Sequence, residues 1–227
     1  MDPLDIATQM TGTRFPSLVG AWLSGSSATD RATSTSDVDV VVVASNVQSF
    51  RETSERGGRL VELFVHTEAS LAEWYASEAS DHRCTLAHMI ATGRLVAGGA
   101  RAERLQVAAR RHVDAGPPAR TTEEVAALRY HLSAALDDLV ESADDERVFV
   151  AHDVVALTSD LELALAQAWT GRGRWRYRWL ADISPEVARG LAEGLGALRT
   201  DPQQLIDVAS DVLERSGGRL QAGYRLG

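Results

Sequence analysis

The sequence contains no lysine. All 23 of its basic residues are arginine. Schiff-base chemistry and a lysine base are therefore excluded, and any clamp on a phosphate must be built from guanidinium forks. Cysteine is almost absent too. Cys84 stands alone, so it closes no internal disulfide and has no cysteine neighbour with which to hold a metal cluster; it reads as a small buried side chain. A chain free of disulfides suits a reducing compartment, and a cytoplasmic location is expected. No apolar run approaches the roughly 20 residues that a membrane-spanning helix requires. The opening Met1-Asp2-Pro3-Leu4-Asp5 lacks a charged-then-apolar export signal. Positive charge is also in deficit, with 32 acidic residues leaving a net charge of -9. General nucleic-acid binding displaces counterions with basic surface, so a nucleic-acid partner is not expected.

What is present suffices for an ordinary globular protein. A chain of 227 residues with 44% hydrophobic content can bury a core without staples. Three short runs rich in Val, Leu and Phe, at residues 18–23, 38–43 and 60–65, predict β-strands. The polar stretch 51–58 between the last two reads as a turn. Residues 70–79 predict a helix with Leu71, Trp74 and Tyr75 on one face, continued by a second over 82–92 that stops at Gly93.

Beyond Gly98-Gly99 the pattern is helical. Gly116-Pro117-Pro118 marks a break. Thr121 and Glu124 have the spacing of a capping box, opening a helix with Val125, Leu128, Leu132, Leu136 and Leu139 along one stripe. Residues 148–169 are apolar nearly all round, as in the central helix of a bundle. Ser184-Pro185 and Asp201-Pro202 each set a cap before a proline and open two more helices, and Gly217-Gly218 ends the last. The expected fold class is α+β: a mixed-sheet domain over residues 1–100, then an all-α helical domain over residues 101–227, with a substrate pocket between them.

The chemistry concentrates in the first part. Gly25-Ser26 follows the first strand directly, and Asp37-Val38-Asp39 opens the second. Side chains alternate along a strand, so Asp37 and Asp39 share a face while Val38 and Val40 point into the core. Two carboxylates on one face repel unless a cation lies between them. Mg2+ is held in this way, by carboxylate oxygens together with substrate phosphates. Glu62, flanked by Val61 and Leu63, supplies a third acid and completes the metal-binding cluster if its strand lies beside the second. Gly25 lets the backbone approach a phosphate closely, and Ser26 offers a hydroxyl.

Leu23-Ser24-Gly25-Ser26 followed by Asp37-Val38-Asp39-Val40-Val41 resembles the signature of the DNA polymerase β-type nucleotidyltransferase superfamily, with the small prokaryotic and the aminoglycoside nucleotidyltransferases as close relatives. The resemblance implies that Asp37 and Asp39 bind Mg2+, that Gly25 and Ser26 hold a triphosphate, and that Glu62 assists. It implies transfer of a nucleoside monophosphate, AMP from ATP, onto a hydroxyl of a small molecule such as an aminoglycoside-like natural product. A protein-modifying, AMPylating antitoxin-like enzyme and a nucleotide-binding protein without turnover are the alternatives, and a homodimer is left open. The sequence departs from the pattern at Ser27, Thr29 and Asp30, where many small members carry basic residues.

That departure makes the segment 171–179 notable, because Arg172, Arg174, Arg176 and Arg178 alternate there with aromatics. In a helix Arg174 and Arg178 share a face, and they are the expected nucleotide-binding cations of the helical domain. Arg129, Asp137, Asp138 and Glu141 on the helix over 125–142 are weaker candidates, the acids among them for a general base toward the acceptor. Arg147 and His152 match the spacing of a ribonuclease motif found in helical toxin domains. The other histidines show no metal-ligand spacing.

Overall fold

The computed structural model describes residues 2–12, 14–28 and 36–225. The chain divides into two compact units, Met1–Gly116 and Pro117–Gly227, so the break falls at the Gly-Pro-Pro stretch.

In the first unit, helix α1 (Pro3–Gly12) leads into strand β1 (Leu18–Ser24), which ends in a 3-10 turn at Gly25–Ala28. Strands β2 (Val38–Ala44), β3 (Phe50–Arg56) and β4 (Arg59–His66) follow. Helices α2 (Glu68–Ser80) and α3 (Thr85–Thr92), strand β5 (Arg94–Gly98) and helix α4 (Ala100–Asp114) complete the unit. The sheet order is β3-β4-β2-β1-β5. Only β2 and β4 run parallel; the other neighbours are antiparallel, so the sheet is mixed. Both faces are covered. Ile6, Ala7 and Met10 of α1 pack on Val38, Val40, Val42, Leu63 and Val65. On the other face Trp22, Val41 and Val43 meet Leu71, Leu86, Ile90, Ala102 and Ala109. Burial on two sides explains the unbroken apolar run of β2.

The three expected strands are present, at slightly shifted ends. The stretch read as a polar turn is mostly β3 instead. Its residues Arg51 to Arg56 are largely exposed. An edge strand with one paired neighbour can carry charge on both faces, which also blunts it against aggregation. Only Gly57 and Gly58, both at positive φ, make the turn. The helical stretch from 82 starts later than expected: His82 takes a φ of 56° and interrupts the path between α2 and α3. Helix α4 belongs to the sheet unit rather than to the bundle. Ala102 and Ala109 are in its core, and Gln106 and Arg110 donate to carbonyls at the end of α3, at Ile90, Gly93 and Ala91. The first unit therefore extends past residue 100.

The second unit is a bundle of α5 (Thr122–Glu141), α6 (Arg147–Leu165), α7 (Arg174–Ile183), α8 (Pro185–Ala197) and α9 (Gln203–Arg215). Its own core gathers Leu132, Leu136, Val154, Leu161, Leu191 and Leu205. The capping box of Thr121 and Glu124 forms as expected. Ser184 sits at the N-cap of α8, but its hydroxyl is spent elsewhere, donating to Glu162 Oε1 at 2.6 Å. Helix α6 ends before 169, where Gln167 turns to a φ of 51°.

Candidate active site

The sheet register sets the site. In the parallel pair Asp39 stands opposite Glu62, and in the antiparallel pair Asp39 stands opposite Ser24. Thr53 of β3 pairs in turn with Glu62. A row Thr53–Glu62–Asp39–Ser24 thus crosses the end of the sheet on the face covered by α2, α3 and α4. Asp37, the residue just before β2, is exposed, and Asp39 is half-buried. The neighbours Val38 and Val40 are fully buried on the opposite face, as alternation requires.

Gly25 sits directly against this row. Its φ of +65° is left-handed, and a Cβ at this position would overlap the Asp39 carboxylate. Only glycine satisfies both conditions. The 3-10 turn it opens buries Ser26 and is tied back by Ser27, whose Oγ donates to the Asp37 carbonyl at 2.7 Å. Ser24 Oγ donates to the Met89 carbonyl at 2.8 Å, fixing the end of β1 to α3. The turn and the two aspartates are therefore held as one piece. Thr29 and Asp30 lie outside the described residues.

Glu62 is not an open carboxylate. Arg51 Nη2 donates to both its oxygens, at 2.8 and 2.7 Å, and the same guanidinium lies 4.8 Å over the Phe64 ring. Two carboxylates in register on adjacent strands repel, and Arg51 offsets that repulsion. Among the described residues no group of three or more His, Cys, Asp and Glu side chains is gathered to hold a metal ion. Asp37 and Asp39 alone still fit Mg2+ chemically, because that ion is commonly held by one or two carboxylates with substrate phosphates completing the shell. Arg51 carries no signal in the sequence, because the polar run 51–58 around it has the composition of a turn.

The remaining candidates belong to the second unit. Arg174 is exposed on the first turn of α7. Arg178 lies 4.7 Å over the Trp175 ring. Arg176 pairs with Asp160 at 3.2 Å. Arg129 and Asp137 are already engaged: Arg129 donates to the carbonyls of Gly217 and Gly218, and Asp137 accepts from Arg219 and Gln221. Both residues fasten the C-terminal segment to α5. Arg147 pairs with Asp144 at 2.8 Å and donates to the Ser142 carbonyl at 3.1 Å, a helix-start role. Cys84 is buried; burial, reinforced by the Glu78 carboxylate, pushes its thiol up to about 12, which leaves it protonated and inert at neutral pH.

Residues 10–79 match the family described as "Nucleotidyltransferase domain". That span holds β1, the glycine turn, β2, β4 and every first-unit residue of the candidate site. Among solved structures, a nucleotidyltransferase-like protein from Exiguobacterium sibiricum 255-15 is similar at 14% identity and a TM-score of 0.48, over 94% of this chain and 77% of that one. No curated protein matches the chain.

Proposed function

We propose that the chain is a nucleotidyltransferase of the DNA polymerase β type, supported by the match of residues 10–79 to the nucleotidyltransferase domain family, and that it moves AMP from ATP onto a hydroxyl of a small molecule. The observation that carries this reading is the fit of Gly25 against Asp39. A phosphate-approach turn and an acid-bearing strand are packed so closely that a nucleotide held by one must meet the other. Asp37 and Asp39 would hold Mg2+, which would supply charge neutralisation on the phosphates and on the leaving pyrophosphate. The Gly25-Ser26 turn would bring backbone and a hydroxyl to the phosphates. An acceptor oxygen forms a bond to the α-phosphorus as the bond to pyrophosphate breaks, and the acceptor's proton leaves to a nearby carboxylate or to water. Glu62, the register partner of Asp39 and held by Arg51, would orient the acceptor's hydroxyl. Arg174 and Arg178 of the helical unit are the proposed nucleotide-binding cations.

None of the described helices is long and apolar enough to cross a membrane, and a cytoplasmic setting suits the ATP and Mg2+ this reaction would use. The test is pyrophosphate release from ATP and Mg2+ across a panel of hydroxyl acceptors. Asp37→Asn and Asp39→Asn should each abolish release while leaving the circular dichroism spectrum unchanged; near-normal turnover in either variant overturns the reading. Nucleotide binding by the wild type without release for any small molecule or protein acceptor would establish a binding protein without turnover.

A further inference from the structure

One step along the sheet from the acid row lies a cavity of about 350 Å3, enclosed by β3, β4, α2 and α3. Its walls include Arg51, Phe64, His66, Trp74, Glu78 and Met89. Two of these residues join it to the row. Arg51 bonds both oxygens of Glu62, and the Met89 carbonyl accepts from Ser24, the register partner of Asp39. The carboxylates of the row do not line the cavity themselves; Arg51 links it to them from the β3–β4 side. Gly25 and its turn stand on the other side of Asp39, at the end of β1.

The charges in the cavity are already matched. Arg51 is paired with Glu62 and Arg83 with Asp81. Glu78 is the one carboxylate among the described lining residues; it accepts from the Leu86 amide at 2.9 Å, and burial raises its pKa. His66 is buried, which lowers its pKa and leaves the ring neutral at pH 7. The surface left for a ligand is aromatic. Trp74 is 50% exposed at the rim and meets the His66 ring edge-on at 5.9 Å. A half-exposed indole at the mouth of a cavity offers a flat face at little ordering cost.

Size and charge select the occupant. Ligand cavities run from roughly 300 to 1,000 Å3, so this one admits a single ring system and not a multi-ring sugar. A polycation would face the two arginines of the lining, Arg51 and Arg83. We propose that this cavity is the acceptor pocket, taking a small uncharged molecule with a flat aromatic ring and a hydroxyl directed toward Asp39. The inference rests on the transfer reading for its role, but its binding test does not.

The probe is 2-naphthalenemethanol, measured by titration calorimetry on the full chain without nucleotide. Wild type should bind it, and Trp74→Ala should weaken binding about ten-fold or more, as for loss of a stacking partner. Trp74→Phe should restore most of the affinity. Trp74 is exposed at the rim, and unchanged melting of the alanine variant would confirm that the fold survives. Absence of binding, or equal binding by wild type and Trp74→Ala, overturns the proposal and leaves the transfer reading intact. Preferential binding of the aminoglycoside kanamycin also overturns it. Competition between the probe and ATP would assign the ring site to the nucleobase and overturn the acceptor assignment. Probe binding with no pyrophosphate release for any acceptor would instead sink the transfer reading while the aromatic site stood.

Discussion

Gly25 carries the tightest constraint of any single residue in the site. A left-handed φ costs a side-chain-bearing residue roughly 1–2 kcal/mol, and here the Asp39 carboxylate also occupies the space a Cβ would need. Gly25→Ala should therefore lower stability by more than the backbone term alone and abolish transfer. Part of that loss should be recovered in Gly25→Ala combined with Asp39→Ala, because the collision disappears while the backbone strain stays. The double variant should fall short of additivity by about 0.5 kcal/mol or more in denaturant unfolding; strict additivity would show that the two residues do not press on each other. Alternation along β2 made the placement of Asp39 on the face opposite Val38 and Val40 legible in the sequence, since period two needs no tertiary information. The Arg51–Glu62 pair was not legible, because it depends on β3 lying beside β4. Glu78 gives a pH signature. Its carboxyl is raised above the ordinary 4.5, first by burial, against opposing hydrogen bonds from the Leu86 amide and Thr85. The unfolded chain ionises freely as pH rises through 4.5, whereas the folded state resists. Glu78 thus makes the fold progressively less stable until pH passes its folded value. Glu78→Gln should gain on wild type over that window and hold a constant difference above it, as read from urea midpoints between roughly pH 4 and 8. A difference that stays flat through the window would show that Glu78 is not held protonated by its surroundings.

At the scale of elements, apolar strands and capped helices were readable, and elements whose partners decide their form were not. Strand β2 announces itself by composition. Strand β3 does not, because an edge strand exposed on both faces has no apolar period to read. Helix α7 hides behind Gly171 and Gly173 in a run where arginine and aromatic residues alternate, which imitates a period of two. Its helical form redistributes the roles of its arginines. Arg176, at 21% side-chain exposure, is bonded to Asp160, whereas Arg174 is exposed. Arg176→Ala should cost roughly 1–2 kcal/mol, as for a partly buried charged hydrogen bond, and lower the melting temperature by several degrees. Arg174→Ala should leave melting unchanged and raise KM for ATP about ten-fold or more. Arg178→Ala should do the same and also release the Trp175 ring, visible as a shift in tryptophan emission. If Arg174→Ala and Arg178→Ala leave KM untouched, the phosphate-binding cations lie elsewhere.

At the scale of the whole molecule, the chain holds two independent cores. The clusters around Val40 and around Trp22 lie wholly within residues 1–116, and the cluster around Leu136 lies wholly within 117–227. Each unit of this size can bury enough apolar surface to fold alone. Where the first unit ends is the point on which sequence and structure part. Composition shifts at Gly98-Gly99, because helices begin there, and a purely local reading ends the sheet domain at that shift. Helix α4 is continuous in character with the bundle, yet Ala102 and Ala109 are fully buried under the sheet and Gln106 closes two carbonyls at the end of α3. Small residues at close-packed positions give little hydrophobic signal, so their partner could not be read from the pattern of α4 itself. A fragment of residues 1–116 should therefore unfold cooperatively with sharp near-ultraviolet circular dichroism. A fragment of residues 1–100 exposes Trp22, Ile90 and the carbonyls that Gln106 and Arg110 had satisfied. It should bind a hydrophobic dye and melt without a cooperative transition, as a chain that keeps its strands but loses specific packing does. Equal cooperativity in the two fragments would mean that α4 is an appendage and that the sheet unit ends where composition changes.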